Sequence, residues 1–399
     1  MNDTMSTSPA TPPSAPEAQL QASRQRLDRL EGFLREDPSN TRLLVDAFDT
    51  ALAAHAWERA HFLLAQGQAQ HPADAGWRLR EADFWMAQAR LGEARAVLDA
   101  LASAPNTPAG LQAVVTHNLA LIDLQRGQYG DCVARLAPWM EAPPGPGPGR
   151  ARAASAPDTE RALQMLWLRG LHHLGETRRA LAWALDAEQR RALDARAAGI
   201  ASLIALDASA FDAARRWSSA AQDDADALPA EALVTQSTLA LASRDADRAL
   251  RFADAALQRH PRDGRAWSAR AFALLLAGDL AAAREAFAQA LAGMPAHIGT
   301  WHGQAWAELL AGDLAAAERS FQSALALDRN FAESHGGLAV VLAMRQRTQE
   351  AAIEIERARR LDPSNRAGRY ADALLRGEIK EPADLQRFAQ QMLAEEQMP

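Results

Sequence analysis

Apolar residues recur along this chain at intervals of three and four, the signature of amphipathic helices. No stretch alternates apolar and polar for long, so strands are not expected. Above the helical period sits a longer one. Trp267, Ala283, Phe287 and Ala290 are followed 34 residues later by Trp301, Ala317, Phe321 and Ala324. A period of that length marks stacked helix pairs. Four segments run in phase: 230–263, 264–297, 298–331 and 332–365. Their position 32 is Pro261, Pro295, Arg329 and Pro363, and their position 20 is Ala249, Ala283, Ala317 and Ala351. Small residues at positions 8, 20 and 27 let two helices approach closely, while Phe287 and Phe321 at position 24 fill the remaining gap. Gly278-Asp279 and Gly312-Asp313 turn the chain between paired helices, because Gly tolerates the left-handed backbone such a turn needs. Pro at position 32 stops the second helix.

The same spacing is weaker upstream. Residues 41–74 carry Ala60, Leu64 and Pro72 in register, and Ala94, Leu98, Cys132, Leu136, Ala180 and Ala213 continue it. The expected organisation is a disordered tail over 1–16, a capping helix with degenerate repeats over 17–141, and a Pro/Gly-rich loop over 142–160. Repeats follow over 161–365, and capping helices over 366–399. The last of these, Ala383 to Glu396, places Leu385, Phe388 and Met392 on one face. Such caps cover the apolar end that a stack would otherwise expose.

Composition narrows the function classes. The net charge of −7 and a pI near 5.8 offer no basic stripe for phosphate, so nucleic acid is not an expected partner. Lys380 is the single lysine. Cys132 is the single cysteine, which excludes an internal disulfide and a paired-cysteine zinc site. The N-terminal residues lack the basic and apolar regions of a secretory signal, and no long charge-free apolar window is present. A cytoplasmic location without a membrane span is expected.

The repeat residues resemble the tetratricopeptide repeat (TPR) family, the best match being 264–297 with Trp267, Ala271, Ala283, Phe287, Ala290 and Pro295. The family's Tyr at position 11 is replaced by Leu274 and Glu308. The resemblance covers roughly residues 41–365. It implies an all-α fold, a right-handed superhelical solenoid of stacked antiparallel helix pairs. It also implies a non-catalytic scaffold that binds a partner peptide or helix in its concave groove. Bacterial arrays of this kind serve secretion, pilus or polysaccharide assembly. The alternative is a regulatory or self-associating subunit of a larger complex, with a homo-oligomer as one outcome.

In this family the groove is lined by the first helix of each pair. That places Arg265, Phe272, His302, Trp306, Val340 and Met344 on the wall. Phe272, Trp306 and Val340 hold equivalent positions and form an apolar stripe, with room beside it where Gly303, Gly336 and Gly337 lack side chains. The bland reading is that Phe272 and Trp306 simply fill a tight stack. Upstream the wall is polar, with Arg42, Asp46, Asp49, Arg80 and Asp83, which solvation alone would explain. The carboxylate clamp of TPR co-chaperones is missing, since position 9 reads Thr238, Phe272, Trp306 and Val340.

No nucleophile elbow, phosphate loop, dinucleotide fingerprint or HExxH is present, and no cofactor is expected. His172 and His173 point about 100° apart on a helix and are poorly placed to share an ion. His302 and His335 lack an evident third ligand. Cys132 occupies a small-residue position at a helix crossing and is expected to be buried and inert.

Overall fold

The computed structural model describes residues 15–105, 107–141, 157–220 and 228–379. The expected N-terminal tail, most of the Pro/Gly-rich loop and the expected final helix 383–396 lie outside the described residues. Those residues form twenty helices and no strand. They fall into two compact units, Met1–Leu174 and Gly175–Pro399. No helix among them is long and apolar enough to cross a membrane.

The N-terminal unit begins with α1 (Ala15–Glu36), which packs on α2 (Thr41–Ala53). Helix α2 pairs with α3 (Trp57–Gln70), α4 (Ala75–Ala87) with α5 (Leu91–Ser103), and α6 (Ala109–Gln125) with α7 (Tyr129–Met140); α8 (Pro157–His173) lies against α6 and α7. Asp123 on α6 is fully buried and bridges Arg95 of α5 and Arg135 of α7. Cys132 is buried at the crossing of α7 and α8, where a Cβ on Gly170 would meet its sulfur at 3.4 Å. Burial pushes that thiol up to about 12, so it stays protonated and inert.

The C-terminal unit holds α9 (Thr177–Gln189), α10 (Ala195–Asp207), α11 (Phe211–Ser219), α12 (Ala230–Ala242), α13 (Ala246–Arg259), α14 (Gly264–Ala277) and α15 (Leu280–Gly293). It continues through α16 (Ile298–Leu310), α17 (Leu314–Leu327), α18 (Ala332–Met344), α19 (Thr348–Leu361) and α20 (Arg366–Leu375). From α10 onward each first helix packs on the second helix that follows it and on the first helix of the next pair. Ala283, Phe287, Ala290, Ala317, Phe321 and Ala324 are all fully buried at these crossings.

The 34-residue period acquires two physical reasons. The indole Nε1 of Trp267 donates to the carbonyl of Pro261 at 2.9 Å, and that of Trp301 to the carbonyl of Pro295 at 2.8 Å. His335 takes the same place, with Nε2 at 2.8 Å from the carbonyl of Arg329. Position 4 thus satisfies the carbonyl that closes the repeat before it in three of the four repeats; the first, 230–263, has Leu233 there. The second reason is the turn between paired helices. Position 15 is left-handed in all four repeats: Arg244 (φ 59°), Gly278 (84°), Gly312 (82°) and Gln346 (60°). Asp279 and Asp313 then cap the next helix, accepting from the amides of Ala282 and Ala316 at 3.1 and 3.0 Å. Arg244 and Gln346, both exposed, adopt the same turn without glycine's freedom; the amides that follow them, of Asp245 and Arg347, donate to the carbonyls of Ala240 and Leu342 at 3.0 and 2.9 Å and close it.

Candidate functional site

The first helices of the C-terminal unit are more enclosed than their sequences suggest. On α18 every residue from Ser334 to Leu342 is buried. A helix enclosed on all sides has neighbours on all sides. Val340 is 0% exposed and Trp306 4%. Trp306 donates its indole N–H to Nε2 of His302 at 2.8 Å, and its ring meets Phe321 edge-on at 5.9 Å. His302 is buried among Trp306, Phe321 and Phe331. An indole only donates, so Nε2 of His302 accepts. His335 instead faces Glu354, with Nδ1 at 2.6 Å from Oε2. The two histidines are committed to different partners.

The room expected beside Trp306 and Val340 is occupied. A Cβ on Gly303 would lie 2.6 Å from Phe287 and 2.7 Å from Phe272; on Gly336, 2.2 Å from Asn365; on Gly337, 2.3 Å from Phe321. These glycines admit side chains from adjoining helices and leave no pocket. Three wall residues retain surface. Phe272 is half-buried against Phe287, Arg265 pairs with Asp207 at 3.1 Å, and Met344 is 39% exposed at the end of α18. Glu308, in place of the family's Tyr, is buried and accepts from Gln304 at 2.8 Å and Ser320 at 2.6 Å.

The polar wall of the N-terminal unit differs. Asp49 on α2, Asp83 on α4 and His117 on α6 follow one another at the 34-residue spacing. Asp83 is half-buried and accepts one hydrogen bond, from Asn118 Nδ2 at 3.1 Å. Burial pushes its carboxyl up to about 6; the nearby Arg80 opposes the rise and Asp49 adds to it. Desolvation raises the carboxyl of Asp49 as well. Arg80 forms no ion pair with either: its guanidinium lies over Trp77 and donates to the carbonyl of Gly76. Solvation therefore does not account for Asp83. Its signal in the sequence was the 34-residue spacing of Asp49, Asp83 and His117. His173 stacks on Tyr129 at 4.5 Å, and no group of three metal-ligating side chains gathers among the described residues.

Helix pairs locked at position 4 and turned at position 15 are matched by two family models described as tetratricopeptide repeat, over residues 240–303 and 302–366. This is a tetratricopeptide-repeat protein. The TPR fold is a protein–protein interaction scaffold. No curated protein matches the sequence. Among solved structures, the chain is similar to one in the Cut9–Hcn1 hetero-tetramer of APC/C, at 13% identity and a TM-score of 0.44, covering 90% of this chain and 80% of that one. A tetratricopeptide repeat protein from Parabacteroides merdae is 14% identical with a TM-score of 0.31, covering 76% and 97%. YrrB, a TPR protein with an unusual peptide-binding site, is 14% identical with a TM-score of 0.31, covering 53% and 91%. At TM-scores under 0.5, the function of none of them transfers to this TPR chain.

Proposed function

We propose that this TPR protein holds a partner peptide or helix along the first helices of its N-terminal unit. The observation that carries the reading is Asp83, a carboxylate partly withdrawn from water with no ion pair among the described residues. A desolvated charge without a partner costs stability, and such groups gather where something binds. A basic side chain of the partner, placed between Asp83 and Asp49, would supply the ion pair that Arg80, turned to Trp77 and Gly76, does not make with them. The stacked helices keep the wall in place beforehand, so most of the ordering cost falls on the partner. In the C-terminal unit, taken by itself, Arg265, Phe272 and Met344 retain surface, whereas His302, Trp306 and Val340 hold their wall together from inside.

The test is affinity capture with the double variant Asp49→Lys, Asp83→Lys against wild type. Partners recovered by wild type are lost from the variant while its helicity stays the same. Equal recovery would refute the assignment.

A second reading, self-association, draws on one observation. A recess of about 660 Å³ lies between α1 and α3, lined by Leu34, Phe62 and Leu63, and Phe62 is 69% exposed. Exposed aromatic surface of this kind suits a protein contact. Light scattering of wild type and Phe62→Ser separates the two: a dimer that dissociates in the variant favours this reading.

A further inference from the structure

The first helices of the N-terminal unit carry three groups whose charges move one way with pH. Asp49, Asp83 and His117 stand at the same place in successive repeats, on α2, α4 and α6. A chain of hydrogen bonds joins the last two. Asn118 Nδ2 donates to Asp83 at 3.1 Å, and Asn118 Oδ1 lies 3.0 Å from Nδ1 of His117. An amide oxygen only accepts, so Nδ1 of His117 carries a proton and a second one goes to Nε2. The charges that act directly on Asp83 are Arg80 of its own helix and Asp49 of α2, and those that act on Asp49 are Arg80 and Asp46. Of the helices packed on α4, α3 turns His61 to the ring of Phe84 and Gln68 to Glu81, and α5 turns Arg95 to Asp123. None of those charges shifts Asp83.

At pH 7.5 this wall presents two carboxylates beside the guanidinium of Arg80, which stays charged throughout. Burial has pushed the Asp83 carboxyl up to about 6, so in mild acid it takes up a proton while ordinary surface carboxylates stay ionised. Asp49 is drawn the same way. His117 can only add positive charge as pH falls. Negative charge is lost and positive charge gained on one wall, so a surface that attracts a cation comes to repel it. A basic side chain and a proton compete for Asp83.

We propose that the N-terminal wall holds its basic partner at neutral pH and releases it in mild acid, Asp83 losing the charge that attracts the partner and His117, linked to it through Asn118, gaining one that repels it. This rests on the reading that Asp49 and Asp83 receive a basic side chain. A carboxyl that titrates at about 6 is ionised in about one molecule in eleven at pH 5.0, so the apparent affinity for a cation falls about tenfold from its value at pH 7.5. Charge gained at His117 adds to the fall.

Fluorescence anisotropy of a labelled hexa-arginine peptide on the full chain, at constant ionic strength, tests it, with circular dichroism at each pH to show that the helices stay folded. Wild type binds the peptide at least about tenfold more tightly at pH 7.5 than at pH 5.0. Asp83→Asn keeps all ten histidines and so every other gain of positive charge in this range; it binds weakly at pH 7.5 and changes by less than about threefold between the two. The double variant Asp49→Lys, Asp83→Lys binds at neither pH. Wild-type affinity that is equal at both pH values, with the double variant still unable to bind, overturns the acid release and leaves the binding site standing. A fall in Asp83→Asn as steep as in wild type also overturns it, and assigns the effect to histidines elsewhere. Equal binding by wild type and the double variant at pH 7.5, or binding by neither, overturns the site together with its regulation.

Discussion

Gly337→Ala is the sharpest probe of how this array packs. Alanine is the better helix former, so in an open helix the change stabilises by up to about 1 kcal/mol. At Gly337 the new methyl would sit 2.3 Å from two carbons of the Phe321 ring. Phe321 has little freedom to withdraw. It is fully buried, with His302 at 5.4 Å and Trp306 at 5.9 Å, both edge-on. Overpacking of a core costs about 1–3 kcal/mol, and a contact this short belongs at the upper end. The net expectation is a loss of about 2 kcal/mol. Urea unfolding followed by tryptophan fluorescence is the assay, since Trp306 reports on this crossing. Gly32→Ala on α1 is the control. A Cβ there would meet nothing closer than Arg35 at 3.9 Å, so it should stabilise by about 0.5–1 kcal/mol. A Gly337→Ala protein as stable as wild type would refute the enclosed wall and restore the room that the sequence suggested.

Three further outcomes are expected. Ala317→Glu forces a charge and extra volume into a fully buried crossing and should cost at least about 3 kcal/mol in urea unfolding; an unchanged midpoint would contradict the repeat register. Gln346→Gly should stabilise by about 1 kcal/mol, because Gln346 holds φ at 60° where its neighbours use glycine; no gain would show that this turn is unstrained. Asp83→Asn should raise stability at pH 7 by on the order of 1–2 kcal/mol, since the rise of the folded carboxyl to about 6 sets an upper bound of about 3 kcal/mol. A raised folded pKa means the folded state holds the proton more tightly. Asp83 therefore disfavours folding above about pH 6, and its penalty fades as pH falls towards 4. The gain in Asp83→Asn should vanish over the same window, and a pH-independent gain would show that the carboxyl is not desolvated.

The helix pairs and their crossings were legible because small residues at fixed positions leave few other ways to stack. Ala283, Phe287, Ala317 and Phe321 could be placed from spacing alone. The wall could not. Spacing shows which face of a helix Gly303 and Gly337 occupy, but not that Phe287 and Phe321, sixteen residues before each, turn their rings into those gaps. The same limit hid the role of Trp267 and Trp301, whose period was plain while their carbonyl partners one repeat back were not. Asp83 was visible as a charge, yet its surroundings were not: the donor Asn118 and the like charge of Asp49 come from two other helices.

The binding claim is tested most directly by site-specific photocrosslinking. With Lys380 as the single lysine, amine-reactive reagents would miss the first helices, so a photoreactive residue is placed at position 49, 62 or 117 of the full chain, or at 353, where Ile353 is exposed on α19. The account predicts that the partner couples from 49 and 117, and that Asp83→Lys abolishes both products. Coupling confined to 62 or 353 would contradict it.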